Sequence, residues 1–240
     1  MRTMERKNIS KILHETIGWG ISELRGRAAQ ADLEKLAVGE YFVSQRPVYV
    51  SQLANADKRS ISGFYGNISD EKAARKFGAS NNKIFSYWSW RSCGIVDIQM
   101  ILKTLYGPKF KSTTMDLVGE GLKLGGYNID KDEGWYHKSI SELAKSRGLF
   151  SRTDKFVPSV EIATNILKDQ FVLASVKSAM GHLLLVYGFR VGKKGKLEGF
   201  WVHDPNPFYE NGEGKFIEKE VFDTIFSRRV IIVGRKDEDG

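Results

Sequence analysis

The stretch Trp88-Ser89-Trp90-Arg91-Ser92-Cys93-Gly94-Ile95-Val96-Asp97 constrains this chain more than any other. It holds the only cysteine among 240 residues, and a helical pattern starts directly behind it. Ile98, Ile101, Leu102 and Leu105 recur at i, i+3, i+4 and i+7, which is one face of an α-helix. Ser92 is expected as its N-cap and Gly107-Pro108 as its stop. Cys93 then stands at a helix N-terminus, where free backbone N–H groups and the positive end of the dipole favour a thiolate. A lone cysteine is more often a small buried hydrophobe. The residues downstream decide between the two.

Charge and composition narrow the function classes. Lys+Arg number 37 against 29 Asp+Glu, a net charge of +8. Such a balance suits nucleic acid, anionic membrane or acidic substrates, but the cations are scattered among carboxylates, so nucleic acid is not an expected partner. No run reaches the roughly 18 apolar residues of a membrane span. The N-terminus lacks the apolar core of a secretory signal. One cysteine excludes an intrachain disulfide and suits a reducing compartment. The expectation is a soluble, cytoplasmic protein.

Taken in order, residues 1–40 read as a helical N-terminal extension, with Ile9, Leu13, Ile17, Ile21 and Leu24 at helical spacing and Gly18, Gly20 and Gly26 weakening it. The helix either packs on the domain or regulates it. Residues 41–52 are strand-like, with Pro47 at an edge or break. Residues 53–87 read as a long loop with a short helix near Asp70–Lys76. Helices are expected over 112–124, after the Ser139-Ile140-Ser141-Glu142 capping box, and after Pro158-Ser159. Strands follow at Phe171–Val176, Gly181–Val191 and Leu197–Asp204, then a helix around Lys219–Phe226 and a buried strand at Val230–Val233. Residues 41–234 form the main domain and 235–240 a charged, frayed tail. Helices first and an antiparallel sheet second make the class α+β.

The two strands joined by Gly192-Lys193-Lys194-Gly195 bring chemistry together. A turn centred near residue 193 sets His182 opposite Asp204, and a small change in turn type leaves them diagonal neighbours about 7–8 Å apart at the backbone. A carboxylate beside an imidazole fixes its tautomer and stabilises its charged form. Such a histidine can take the Cys93 proton and return it to a leaving amine. His203 points to the opposite face of its strand. No zinc-type spacing links Cys93, His182, His203 and Asp204, so no metal site is expected.

The motif Ser-Cys-Gly with Met100, Leu102, Tyr106 and Gly107 behind it resembles the nucleophile helix of the C39-like branch of papain-fold cysteine peptidases. Gly181-His182, Val186 and Gly188-Phe189 resemble their histidine strand, and Val202, Asp204-Pro205 and Asn206-Pro207 their third motif. The resemblance covers roughly residues 88–234. It implies a papain-like fold, with a nucleophile helix packed on a C-terminal antiparallel sheet. It also implies a Cys93-His182-Asp204 triad, a peptide or protein substrate and no cofactor. The family places a glutamine shortly before its cysteine as oxyanion donor. Here Val48-Tyr49-Val50-Ser51-Gln52 resembles that element but lies far upstream. Gln52 is therefore the oxyanion candidate, with Tyr87 or Ser89 as substitutes. The expected activity is a thiol hydrolase cleaving an amide bond. The alternatives are a catalytically weak or silent binding module on the same fold, or a thiol acyltransferase or amidase.

Overall fold

The structure is a computed structural model that describes residues 2–178 and 181–236, with side chains from residue 16 onward. Seven strands form one antiparallel sheet: β1 (Gly39–Phe42), β2 (Leu149–Lys155), β3 (Phe171–Val176), β4 (His182–Val191), β5 (Leu197–His203), β6 (Lys215–Glu218) and β7 (Phe226–Arg235). The order is β2-β7-β3-β4-β5-β6, and β1 pairs with the second half of β4. The helices are α1 (Arg2–Leu33), α2 (Glu71–Phe77), α3 (Asn82–Ser89), α4 (Cys93–Tyr106), α5 (Thr114–Lys123), α6 (His137–Ser146), α7 (Ser159–Leu167) and α8 (Lys219–Ile225). This is the α+β class read from the sequence.

Helix α4 is buried on all sides from Gly94 to Leu102. A helix that is apolar around its circumference must be enclosed, and α4 packs on β4, with α5 and α6 also against it. Its N-terminus, carrying Cys93, is thereby held against the start of β4, carrying His182. Ser92 begins the helix without capping it: its hydroxyl donates back to the Trp88 carbonyl.

Several expectations need correction. The strand expected over 41–52 is only Gly39–Phe42, and the Pro47 carbonyl instead accepts from His203 Nε2 at 2.9 Å. The stretch 53–87 holds the expected α2 and also α3, whose first turn is capped by Asn81. The box Ser139-Glu142 caps nothing. The carbonyl of Tyr136 takes the Ser139 and Ile140 amides, so α6 starts earlier, at His137. A capping box forms instead between Thr113 and Asp116, at the head of α5.

The apolar set of α1 also faces the wrong way for the expected packing. Ile17, Ile21 and Leu24 are exposed, while Gly18, Ser22, Ala29 and Leu33 are buried. The glycines are the reason. A Cβ at Gly18 would come within 2.8 Å of the Phe156 ring, so the small-residue face lets the helix approach the segment leading into α7. Arg25 anchors the contact, at 2.7 Å from Asp154 and 2.6 Å from Glu161. The side chains of Ile9 and Leu13 lie outside the described residues, as does the tail from residue 237.

Candidate active site

The head of α4 and the start of β4 both line a cavity of about 590 Å³. Cys93 and His182 both line it. The His182 side chain and the backbone amides of Leu183 and Gly94 act on the Cys93 thiol, each favouring its ionised form. His182 Nε2 is 2.8 Å from Asp204 Oδ1, which leaves Nδ1 for the thiol.

The hairpin produces this pairing by a register other than the expected one. The turn spans Gly192–Lys196, Leu185 pairs with His203 and Val191 with Leu197, with irregularities on either side of Phe189. Extended by one residue, this register carries Asp204 alongside Leu184. His182 and Asp204 are therefore diagonal neighbours on one face rather than direct partners, and the side chains close the distance. His203 points the other way, as expected. It is buried, bonded to the Pro47 carbonyl and accepting the Gly214 amide at Nδ1.

Asp204 is fixed by its own backbone and by Tyr49. Its amide donates to the Gly212 carbonyl, its carbonyl accepts from Tyr49 Oη at 3.0 Å, and its Oδ1 also accepts the Asn206 amide at 2.9 Å. Gly212 has no room for a side chain: a Cβ would lie 2.0 Å from the Asp204 carbonyl oxygen.

The electrostatics favour an ion pair. Removal from water pushes the Cys93 thiol up, but the hydrogen bond and charge of His182, with the two amides, outweigh it and hold the thiol below its ordinary range. Burial pushes His182 down, and the bonds to Asp204 and Cys93 overcome this and lift it above the usual imidazole range. For Asp204, burial pushes up and the His182 bond and charge pull the carboxyl down. Cys93 is only partly buried, and it lines the cavity.

Gln52 lies beside this machinery. Its backbone amide donates to the carbonyl of Pro205 at 2.8 Å, but the residue does not line the cavity, and its side-chain Oε1 is buried without a partner. The substitutes fare worse: the Ser89 hydroxyl is fully buried and bonded to the Ser86 carbonyl, and Tyr87 lies under the Arg91 guanidinium away from the cavity. One wall is aromatic. Trp90 and Trp135 are held by indole bonds to the Gly66 and Arg91 carbonyls, both at 2.8 Å, and Tyr65 and Tyr127 flank them.

Sequence reasoning passed over Asp97. It sits one turn beyond Cys93, fully buried, with both carboxyl oxygens unpartnered. Burial first, and the neighbouring Cys93 thiolate second, push it well above the usual carboxylate range. The signal was its i+4 spacing from Cys93, which puts both on one helix face.

No family model matches the chain, and no curated protein does. Among solved structures, it is similar to the peptidase domain of Streptococcus ComA, a bifunctional ABC transporter involved in quorum sensing, at 21% identity. That match covers 61% of this chain and 93% of the other, with a TM-score of 0.45. The Streptococcus mutans ComA peptidase domain matches at 19% identity over 60% and 92%, TM-score 0.37. A double-glycine-motif protease from an AMS/PCAT transporter, in complex with its leader peptide, matches at 17% identity over 60% and 84%, TM-score 0.40.

Proposed function

We propose that this chain is a papain-like cysteine peptidase of C39-like type, cleaving a peptide bond through Cys93, His182 and Asp204. The observation that carries the reading is the His182 imidazole placed between the Cys93 thiol and the Asp204 carboxylate, with Cys93 and His182 lining a cavity. In this reading the Cys93 thiolate attacks the scissile carbonyl, and the His182 Nδ1 proton goes to the leaving amine. The peptide's acyl half stays on sulfur as a thioester. Nδ1 then takes a proton from water, the hydroxide attacks the thioester, and the acid leaves as the thiolate is restored. Asp204 keeps the ring oriented and stabilises its charge. The Cys93 amide at the head of α4 is one oxyanion donor, and Gln52, tethered to the Asp204 loop through Pro205, is the candidate for the second.

The test is a mixed peptide library incubated with the protein and with Cys93→Ala, new N-termini being read by mass spectrometry. Products with the wild type alone, and a transient acyl adduct on Cys93, support the reading. Equal products from both proteins, or none from either, overturn it. A second reading, a binding module on the same frame, is favoured by the position of Gln52 outside the cavity wall. It requires peptide retention without turnover.

A further inference from the structure

The same cavity carries a wall of unpaired cations. Lys155 on β2 and Arg229 on β7 are direct cross-strand partners. Lys138, on the first turn of α6, lines the cavity with them. Like charges directly opposed across a sheet repel, so this pairing costs stability unless something negative sits beside it. Among the described residues, no carboxylate forms an ion pair with either of them. The cavity's Asp154 is committed to Arg25 at 2.7 Å and Arg152 at 2.9 Å, and its Arg91 is neutralised by Asp132 at 2.5 Å. Among the described residues, Lys138, Lys155 and Arg229 make no ion pair. Glu133 is the remaining carboxylate on the wall, and it is exposed, as are the three cations. His137 reports the local field: burial, then the charges of Arg229 and Lys155, hold its ring below the usual imidazole range.

We propose that Lys138, Lys155 and Arg229 form a carboxylate subsite, so that the cleft selects peptides bearing an Asp or Glu side chain or a free C-terminal carboxylate near the bond that Cys93 attacks. The proposal deepens the peptidase reading and rests on it for the word substrate. The subsite itself is a property of the cavity. It gives a role to an opposed pair that the fold leaves unneutralised, and it places part of the chain's excess positive charge where an acidic ligand would meet it.

Two measurements on the full chain test it. The first repeats library cleavage with free-acid and C-terminally amidated libraries, for the wild type and for the double variant Lys155→Gln/Arg229→Gln. The expected result is enrichment of Asp and Glu around the cut sites, or a preference for the free-acid library, flattened by about tenfold in the double variant. Enrichment that persists after amidation assigns the side chains; enrichment that vanishes assigns the terminus. Cleavage without either preference overturns the subsite and leaves the peptidase reading standing.

The second measurement does not depend on turnover. The rate of Cys93 alkylation by iodoacetate, divided by the rate with neutral iodoacetamide, reports the field in the cleft. This ratio is expected to fall about tenfold from wild type to double variant at low salt, and the two proteins are expected to converge at 1 M salt, where the screening length is about 3 Å. Equal ratios at low salt overturn the proposal. No cleavage together with a falling ratio would remove the peptidase reading and keep the subsite. The double variant should melt at or above the wild-type temperature, because it relieves a repulsive pair. A lower melting temperature in the absence of ligand would contradict the repulsion on which the inference depends.

Discussion

His182 Nε2 lies 2.8 Å from Asp204 Oδ1, and that bond commits one ring nitrogen and turns the other toward Cys93. Asp204→Asn keeps the shape and removes the charge that stabilises the imidazolium. The expected loss in kcat is on the order of 10²–10⁴. In the same variant the pH midpoint of Cys93 alkylation should rise, because a less basic His182 holds the thiolate less well. A variant with wild-type kcat and midpoint would remove Asp204 from the account.

Gly212 tests the positioning of the acid without touching it. A methyl at this position meets the Asp204 backbone carbonyl 2.0 Å away, and backbone cannot yield as a side chain tip can. Gly212→Ala should displace Asp204 and lower kcat by about 10²-fold, the scale of a 1 Å misplacement. Steady-state kinetics on a peptide identified by the library would show it. A circular dichroism spectrum and a cooperative melting transition like those of the wild type separate misplacement from unfolding.

Gln52→Ala tests the second oxyanion donor. If Gln52 swings into the cleft with substrate bound, kcat should drop by about 10²–10³ with little change in KM. Unchanged kcat would leave the Cys93 amide without Gln52 as its companion.

Asp97 predicts a pH dependence of stability. Its folded carboxyl holds its proton well above the usual range, whereas in the unfolded chain it ionises near pH 4. The native state therefore binds more protons than the unfolded state as pH rises from about 4, and stability falls, by up to about 1.4 kcal/mol per pH unit for this group. Asp97→Asn removes the titration. Its stability relative to wild type should increase between pH 5 and pH 7, as read by urea denaturation midpoints. A difference, variant minus wild type, that stays constant or falls as pH rises would contradict the buried, protonated state.

What was legible in the sequence follows from how local the cause is. The head of α4 was legible because its apolar spacing and its Gly107 stop lie within one helix. Strands β3 and β4 were legible as apolar runs, since both are buried on their two faces. The meeting of His182 and Asp204 was legible because a hairpin is a local device, although the longer turn and two irregularities shifted the register and made the contact diagonal. Strand β2 was not, because Leu149–Lys155 turns polar and exposed after its first residues. Nor was the burial of α1: its face is set by where Phe156 and Asp154 stand, and the apolar period pointed elsewhere. The cation wall draws on α6, β2 and β7, which only the folded sheet brings together.

The central claim is a Cys93 thiolate paired with a His182 imidazolium. It is tested most directly by the pH dependence of iodoacetamide alkylation of Cys93, the only thiol in the chain, in wild type and His182→Ala. A free thiol with a pKa near 8.5 is only about 0.3% ionised at pH 6. The account predicts substantial wild-type reactivity already at pH 6, with a midpoint below the ordinary thiol value, and a return to that value in His182→Ala. A wild-type midpoint at or above the ordinary thiol value, or one unmoved by removing the imidazole, would contradict it.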